Sequence, residues 1–465
     1  MKKLGLTQYL GYGAGDAANN LVFSMASMFL LIYYTDVADI PAASVGTLFL
    51  LVRIWGGVAD LLAGRMVDRT STRWGKFRPY LLFGSLPLLA IGVALFSVPG
   101  GLSPTDKLVY AYVTYTLWGL LYSVVNIPYG SLAAAMTQDP DERSRLSSAR
   151  VVSSNLTILA LAAIVAPLIQ TSMNLQRSLT TLTLIFLVVG FGLYLWCFFT
   201  TREQVQREEE TVGLAESLRM IGRNRPLLLL SLSGLLFLGG MFTLQTLAVY
   251  YARDVLGSSG YYVVLTVAQT VGMIAAAALA PKAVESVGKK TVYILGGVVT
   301  VVGGIALTAA PGSVPVIGIG CFAVLGLGLG TINTIVWAME ADTVEYGEWR
   351  TGVRAEGTIY SVLSFTRKAG QGVGGAAAAY AIGLGGYIAG ARIQPGGAIT
   401  TIRLGAGALT AAFVALATLV ILPYPITEKV LRGMVTDLAQ RHAASVPPAP
   451  GGIATPVTPA TPRPS

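Results

Sequence analysis

Histidine occurs once and cysteine twice in 465 residues, and only 12% of the residues are charged. The single His442 lies in a C-terminal tail, so no buried site can use a histidine base. Cys197 and Cys321 fall in separate apolar runs and read as small hydrophobes; their spacing offers neither a disulfide framework nor a metal site. No nucleophile and base pair, metal cluster or phosphate-cradling loop is visible, which argues against an enzyme and against a nucleotide-driven pump. A cleavable leader is not expected either, because Lys2 and Lys3 run into a span that lacks a small-residue cleavage site.

What the chain does have is apolar length, with 54% hydrophobic residues. Runs bounded by charge, Pro or Gly predict twelve membrane spans, near residues 12–35, 44–66, 80–99, 108–134, 151–172, 178–200, 227–252, 259–281, 290–310, 313–339, 357–388 and 402–424. The expected fold class is an all-α membrane protein of two six-helix halves. Residues 1–200 and 227–430 form the halves, a polar loop over 201–226 carries Glu208-Glu209-Glu210 as a solvated face, and 431–465 is a tail expected to be largely disordered from Pro447 onward. Two such halves would place a substrate site near the bilayer midplane between them.

Lys and Arg orient the chain. With both termini cytoplasmic, the inner segments hold Arg65, Arg69, Arg73, Lys76, Arg78, Arg143, Arg145, Lys289, Lys290, Arg350 and Arg354, while the outer face keeps Lys107, Arg177, Arg253, Arg392 and Arg403. The net charge of +9 is therefore a matter of topology, and no nucleic-acid patch stands behind it.

Against this background the charges inside the spans stand out. Asp16, Arg53 and Asp60 lie in the first two spans, and Arg367 and Lys368 lie well inside the eleventh. A charge at mid-bilayer costs about 2.5–3.5 kcal/mol on insertion scales, so such residues face a partner or a watery path and mark function. Arg53 precedes Asp60 by two helical turns, ~10 Å along the axis, on the same side of the helix. The loop after span two holds Asp68 among the bases Arg73, Lys76 and Arg78, and the loop after span ten holds Glu340, Asp342, Glu345 and Glu348 with Arg350, Arg354 and Glu356. These two segments could pair as a gate when the inner side closes. A glycine cluster, Gly370-Gln371-Gly372-Val373-Gly374-Gly375, suits close helix packing in lipid.

Five stretches carry a family likeness: Tyr33-Tyr34-Thr35-Asp36, Arg73-Trp74-Gly75-Lys76-Phe77-Arg78-Pro79, Asn126-Ile127-Pro128-Tyr129-Gly130-Ser131-Leu132, Glu340-Ala341-Asp342-Thr343-Val344-Glu345-Tyr346-Gly347-Glu348 and Phe365-Thr366-Arg367-Lys368-Ala369-Gly370. Together, in this order, they resemble the glycoside-pentoside-hexuronide:cation symporters of the major facilitator superfamily, and within them most of all the bacterial glucuronide carriers. The resemblance implies sugar uptake coupled to a cation by alternating access, in a bacterial inner membrane.

Asp16 matches the carboxylate that binds sugar hydroxyls in the melibiose carriers, and Arg150 matches a sugar-site arginine. Asn126 stands where those carriers have a galactosyl-recognising Asp, and Gly130 where they have a stacking Trp, which makes room and removes repulsion toward an anionic uronide. Arg150, Arg367 and Lys368 would supply its cations. The cation site departs from the pattern: of two acidic positions only Asp60 keeps a carboxylate, Gly56 replaces the other, and Ala59 replaces an amide. Tyr122 and Ser123 are the neighbouring hydroxyls. One carboxylate is a poor sodium cage but an adequate proton carrier, because burial favours its neutral form and a nearby cation its anion. The expected partners are a small glycoside, a proton and lipid, with no cofactor beyond the coupling ion; sodium coupling or uncoupled uniport are the alternatives. Trp337 reads as an interfacial belt residue.

Overall fold

Apolar runs of this length can satisfy their backbone polar groups in lipid only within the segment, so helices follow from the composition. The structure is a computed structural model describing residues 4–137, 139–204, 222, 224–351, 356–391 and 393–445. Among these residues the architecture is all-helical, with one isolated bridge between Thr72 and Gly75. Lys2, Lys3, Glu208 to Glu210, Arg354, Arg392 and the tail from Pro447 lie outside the described residues, as do the side chains of Asp68, Glu356 and His442.

The first half comprises α1 (Leu6–Asp36), α2 (Ala42–Asp68), α3 (Arg78–Phe83) continued by α4 (Ser85–Leu95), α5 (Pro104–Met136), α6 (Pro140–Thr171) and α7 (Leu175–Thr200). The second comprises α8 (Arg225–Tyr250) with a π-helical turn over Tyr251–Val255, α9 (Tyr261–Val287), α10 (Lys289–Ala309), α11 (Pro315–Thr351) and α12 (Glu356–Leu384). It ends in α13 (Gly396–Leu404), joined through a second π-helical turn, Gly405–Leu409, to α14 (Thr410–Ile421), and in α15 (Glu428–Ser445). With α3–α4 and α13–α14 as single spans, the halves have six spans each. Eleven spans among the described residues are long and apolar enough to cross a bilayer. The twelfth, α12, carries Arg367, Lys368 and Gln371 and is correspondingly more polar.

Capping follows local chemistry. Ser103 Oγ accepts from Asp106 N at 3.2 Å ahead of Pro104, and Asn174 and Asn224 accept from Arg177 N at 2.9 Å and Leu227 N at 3.1 Å to start α7 and α8.

Two expected loop or tail segments are helical. The acidic run at 340–348 continues α11, whose 37 residues reach ~55 Å, well past a ~30 Å hydrocarbon layer. A helix leaving lipid needs no further apolar sequence to continue, which is why hydropathy placed its end too early. The start of the tail forms α15, held by the buried Met434 and Leu438 and by Trp349 Nε1 donating to Asp437 Oδ2 at 3.2 Å.

The halves meet where α2 packs on α12, α1 on α8 and α6 on α9. Small residues set the α2–α12 distance: a Cβ on Gly372 would lie 2.6 Å from Arg53 Cβ. The cross-half bonds gather toward one end, where α1 turns into α2. There the Thr35 and Tyr250 hydroxyls are 3.0 Å apart, those of Thr47 and Tyr380 2.8 Å, and Ser259 Oγ donates to the Ala166 carbonyl at 2.7 Å. Two turns apart on one face of α2, a Cβ on Gly57 would meet the Phe365 ring of α12 at 2.4 Å, whereas Gly64 has nothing within 4 Å of a Cβ.

Candidate functional site

Lys368, on α12, crosses to the other half. Its Nζ donates to Asp60 Oδ1 at 2.5 Å, to the Gly56 carbonyl at 3.1 Å and to Ser123 Oγ at 3.1 Å. An ammonium has three protons, and here three oxygens of α2 and α5 take them. Both members of the ion pair are largely covered, with 16% and 15% of their side chains exposed. The sequence reading grouped Asp60, Gly56 and Ser123 at the cation site and assigned Lys368 to the substrate; the structure places Lys368 on the cation-site oxygens themselves.

A second pair is confined to the first half. Arg150 Nε donates to Asp16 Oδ1 at 2.9 Å, and Asn20 Nδ2 donates to Asp16 Oδ2 at 2.9 Å. Its neighbour Asn19 instead donates to the Gly15 carbonyl and accepts from the Tyr194 hydroxyl at 2.8 Å. Arg150 also lies over the Tyr129 ring at 5.3 Å, and Tyr129 stacks on Tyr12. Tyr122, stacked on Phe23 and Trp118, lies within electrostatic reach of Asp16, Arg150, Arg53 and Asp60, and so stands between the two pairs. One turn along α5, Asn126 is half-buried, and the exposed Gly130 faces open space with nothing within 4 Å of a Cβ.

Arg367 points elsewhere. Its Nη1 meets Glu340 Oε2 at 3.3 Å and its guanidinium stacks on Trp337 at 4.3 Å, all within the second half. Trp337 thus holds an arginine, a role that its place near the end of a span does not reveal. Asp342 accepts from Lys289 Nζ at 2.7 and 2.8 Å, with Glu345 and Glu428 nearby. On the other half, Glu203 takes the amides of Lys76 and Phe77 at 2.8 Å each and of Arg78 at 3.1 Å, at the start of α3, where the helix dipole favours an anion. Arg78 Nη2 donates to the Phe198 carbonyl at 2.7 Å, and Arg73 stacks on Trp74 at 4.3 Å. The described contacts of Arg73, Arg78, Glu340 and Asp342 thus stay on their own side, Arg73 and Arg78 within the first half and Glu340 and Asp342 within the second.

Two groups escaped the sequence reading. Arg253 Nη1 donates to Asp36 Oδ2 at 2.7 Å, while the Tyr387 hydroxyl donates to both Asp36 oxygens at 2.8 and 2.9 Å and accepts from Arg253. Asp36 closes one of the five family stretches, and Arg253 with Asp254 is a charged doublet ending a span; those were the available signals. The second group surrounds Arg53, whose guanidinium lies 4.9 Å over Phe23 and 5.7 Å from the Trp118 ring. It donates to Gln371 Oε1 at 3.1 Å and to Ser27 Oγ at 3.4 Å.

No group of three or more His, Cys, Asp or Glu that could hold a metal occurs among the described residues. Two charge pairs, an aromatic wall and a set of oxygens already holding an ammonium can bind a polar solute and exchange a proton. They offer no nucleophile for bond cleavage.

Comparison with known proteins agrees with this geometry. A family model described as MFS/sugar transport protein matches residues 11–428. The chain is 42% identical to the glucuronide carrier protein homolog of Escherichia coli (strain K12) over 95% of its own length and 97% of that protein. It is 33% identical to the isoprimeverose transporter of Lactiplantibacillus pentosus over 94% and 92%. In fold it is similar to the nucleoside transporter NupG, with a TM-score of 0.62 at 11% identity over 93% and 99% of the two chains. The chain belongs to the glycoside-pentoside-hexuronide:cation symporter family of the major facilitator superfamily, and is a membrane-embedded sugar transporter rather than an enzyme.

Proposed function

We propose that the protein is a proton-coupled symporter of glucuronides or related glycosides, working by alternating access in a bacterial inner membrane with both termini cytoplasmic. The observation that carries the coupling is the Lys368 ammonium on Asp60, the Gly56 carbonyl and Ser123. A sodium ion needs several hard oxygens at once, and here an internal cation occupies the available set. A proton on Asp60 cancels its charge, releases Lys368 and frees that ammonium for an anionic sugar between the halves. Asp16, held by Arg150 and Asn20, accepts sugar hydroxyls, and Asn126 and Gly130 leave space beside it. No cofactor other than the proton takes part.

The Lys and Arg distribution supports an outside location for the end where α1 turns into α2. The cross-half bonds of Asp36, Thr35, Thr47 and Ser259 then make an external closure, and the open space at Gly64 faces the cytoplasm. The relative named as a glucuronide carrier homolog supports the substrate class.

Uptake of a labelled aryl glucuronide into proteoliposomes tests this. The expected result is accumulation under an inward proton gradient, abolished by a protonophore and indifferent to sodium. Accumulation that follows a sodium gradient alone would overturn the coupling, and equilibration without accumulation would make the protein a uniporter.

A further inference from the structure

Three other cations of the spans have carboxylates of their own: Arg150 with Asp16 and Lys368 with Asp60 at the site, and Arg367 with Glu340 away from it. Each pair is close to neutral, so an incoming anion meets repulsion from the carboxylate as well as attraction from the base. Arg53 is different. At 8% exposure it is the most buried Lys or Arg among the described residues, and its contacts are an amide oxygen, a hydroxyl and two rings. An unneutralised charge in such a place is costly, and ring contacts return only about 1–2 kcal/mol of it.

A second observation points the same way. Trp118 Nε1 is buried with no acceptor among the described residues, on the ring whose centroid is 5.7 Å from the Arg53 guanidinium. Buried donors normally find acceptors, and here an indole N–H without one lies on a ring next to a guanidinium whose described acceptors, Gln371 Oε1 and Ser27 Oγ, are both neutral; the pair suits an oxygen anion. The place is also at the site: Arg53 is within electrostatic reach of Lys368, and Tyr122 is stacked on both Phe23 and Trp118.

We infer that Arg53, together with the Trp118 indole N–H, receives the carboxylate of the substrate and sets the preference for uronides over neutral sugars. This rests on the uronide carriage proposed above. Arg53 is then a specificity residue, while Asp16 with Arg150 serves the hydroxyls common to both kinds of sugar. Planar guanidinium and planar carboxylate pair in two parallel hydrogen bonds, which a neutral hydroxymethyl group cannot supply.

The test is binding of a matched pair, phenyl glucuronide and phenyl glucoside, to purified protein, with thermal stability followed with and without each ligand. Wild type is expected to prefer the glucuronide. In Arg53→Gln, glucuronide affinity should fall roughly tenfold to a hundredfold while glucoside affinity holds. Arg53→Lys should recover part of the preference, and Trp118→Phe should lose a smaller part. Unliganded Arg53→Gln should be as stable as wild type, because it removes an unneutralised charge; only the glucuronide-induced stabilisation should vanish. A wild type without preference for the glucuronide removes the uronide reading and this inference with it. A wild-type preference that survives in Arg53→Gln, or equal losses for both sugars with lowered unliganded stability, overturns the Arg53 assignment alone.

Discussion

The Lys368 ammonium of the second half stands 2.5 Å from the Asp60 carboxylate of the first, between residues 308 positions apart. One ion pair thus joins the halves and occupies the coupling position, so its protonation state and the separation of α2 from α12 are linked.

Asp60→Asn should therefore uncouple the protein. Proton-driven accumulation is expected to fall to the equilibrium level, while exchange of internal for external sugar persists at a reduced rate. Uptake with and without a proton gradient, set beside counterflow, reads this directly. Persistent accumulation would make the pair a packing element only.

If the internal ammonium is what keeps sodium out, replacing it should let sodium in. A Cβ at Gly56 would lie 3.5 Å from Lys368 Cδ and 3.7 Å from its Nζ, ordinary contact distances, so a side chain fits there. The double variant Gly56→Asp with Lys368→Ala is expected to gain sodium-stimulated binding that wild type lacks. Titration of sugar binding in sodium and in choline salts measures the gain.

The Asp36, Arg253 and Tyr387 cluster should govern the closure where α1 turns into α2. Asp36→Asn leaves Arg253 with Asp254 alone and removes the cross-half charge contact. The expected outcome is a shift toward the state opened at that end. Spin labels at Gln170 and Ser258, whose side chains are now 2.9 Å apart, should report longer distances.

Close helix contact gives a stability prediction. A Cβ on Gly374 would lie 2.3 Å from the Gly239 carbonyl oxygen, and backbone cannot swing aside as a side chain can. Gly374→Ala should cost about 1–3 kcal/mol by forcing α12 off α8, seen as a lower unfolding midpoint in detergent.

Individual charges were legible in the sequence because lipid makes them expensive: Asp16, Asp60 and Lys368 stand out in any apolar run. Their partners were not. Asp60 with Lys368 and Arg53 with Gln371 join positions 308 and 318 residues apart, and nothing local encodes which helix faces which. The span order and the two halves followed from hydropathy, whereas the far end of α11 did not, since hydropathy reports lipid contact and not helix continuity. Glu203 was hidden for another reason: it reads as one more polar residue after a span, and its three amide partners lie more than 120 residues upstream. Trp337 read as a belt residue because an exposed Trp near a span end does not announce a guanidinium stacked upon it.

α2 is fastened to α12 at its upper end by Thr47 to Tyr380, midway by Arg53 to Gln371, and lower down by Asp60 to Lys368, ~20 Å along the helix from the first. A proton reaching Asp60 loosens only the lowest fastening, and the others keep the outer side shut. Protons arriving without cargo would then find a carrier that stays shut, which keeps the membrane from being short-circuited.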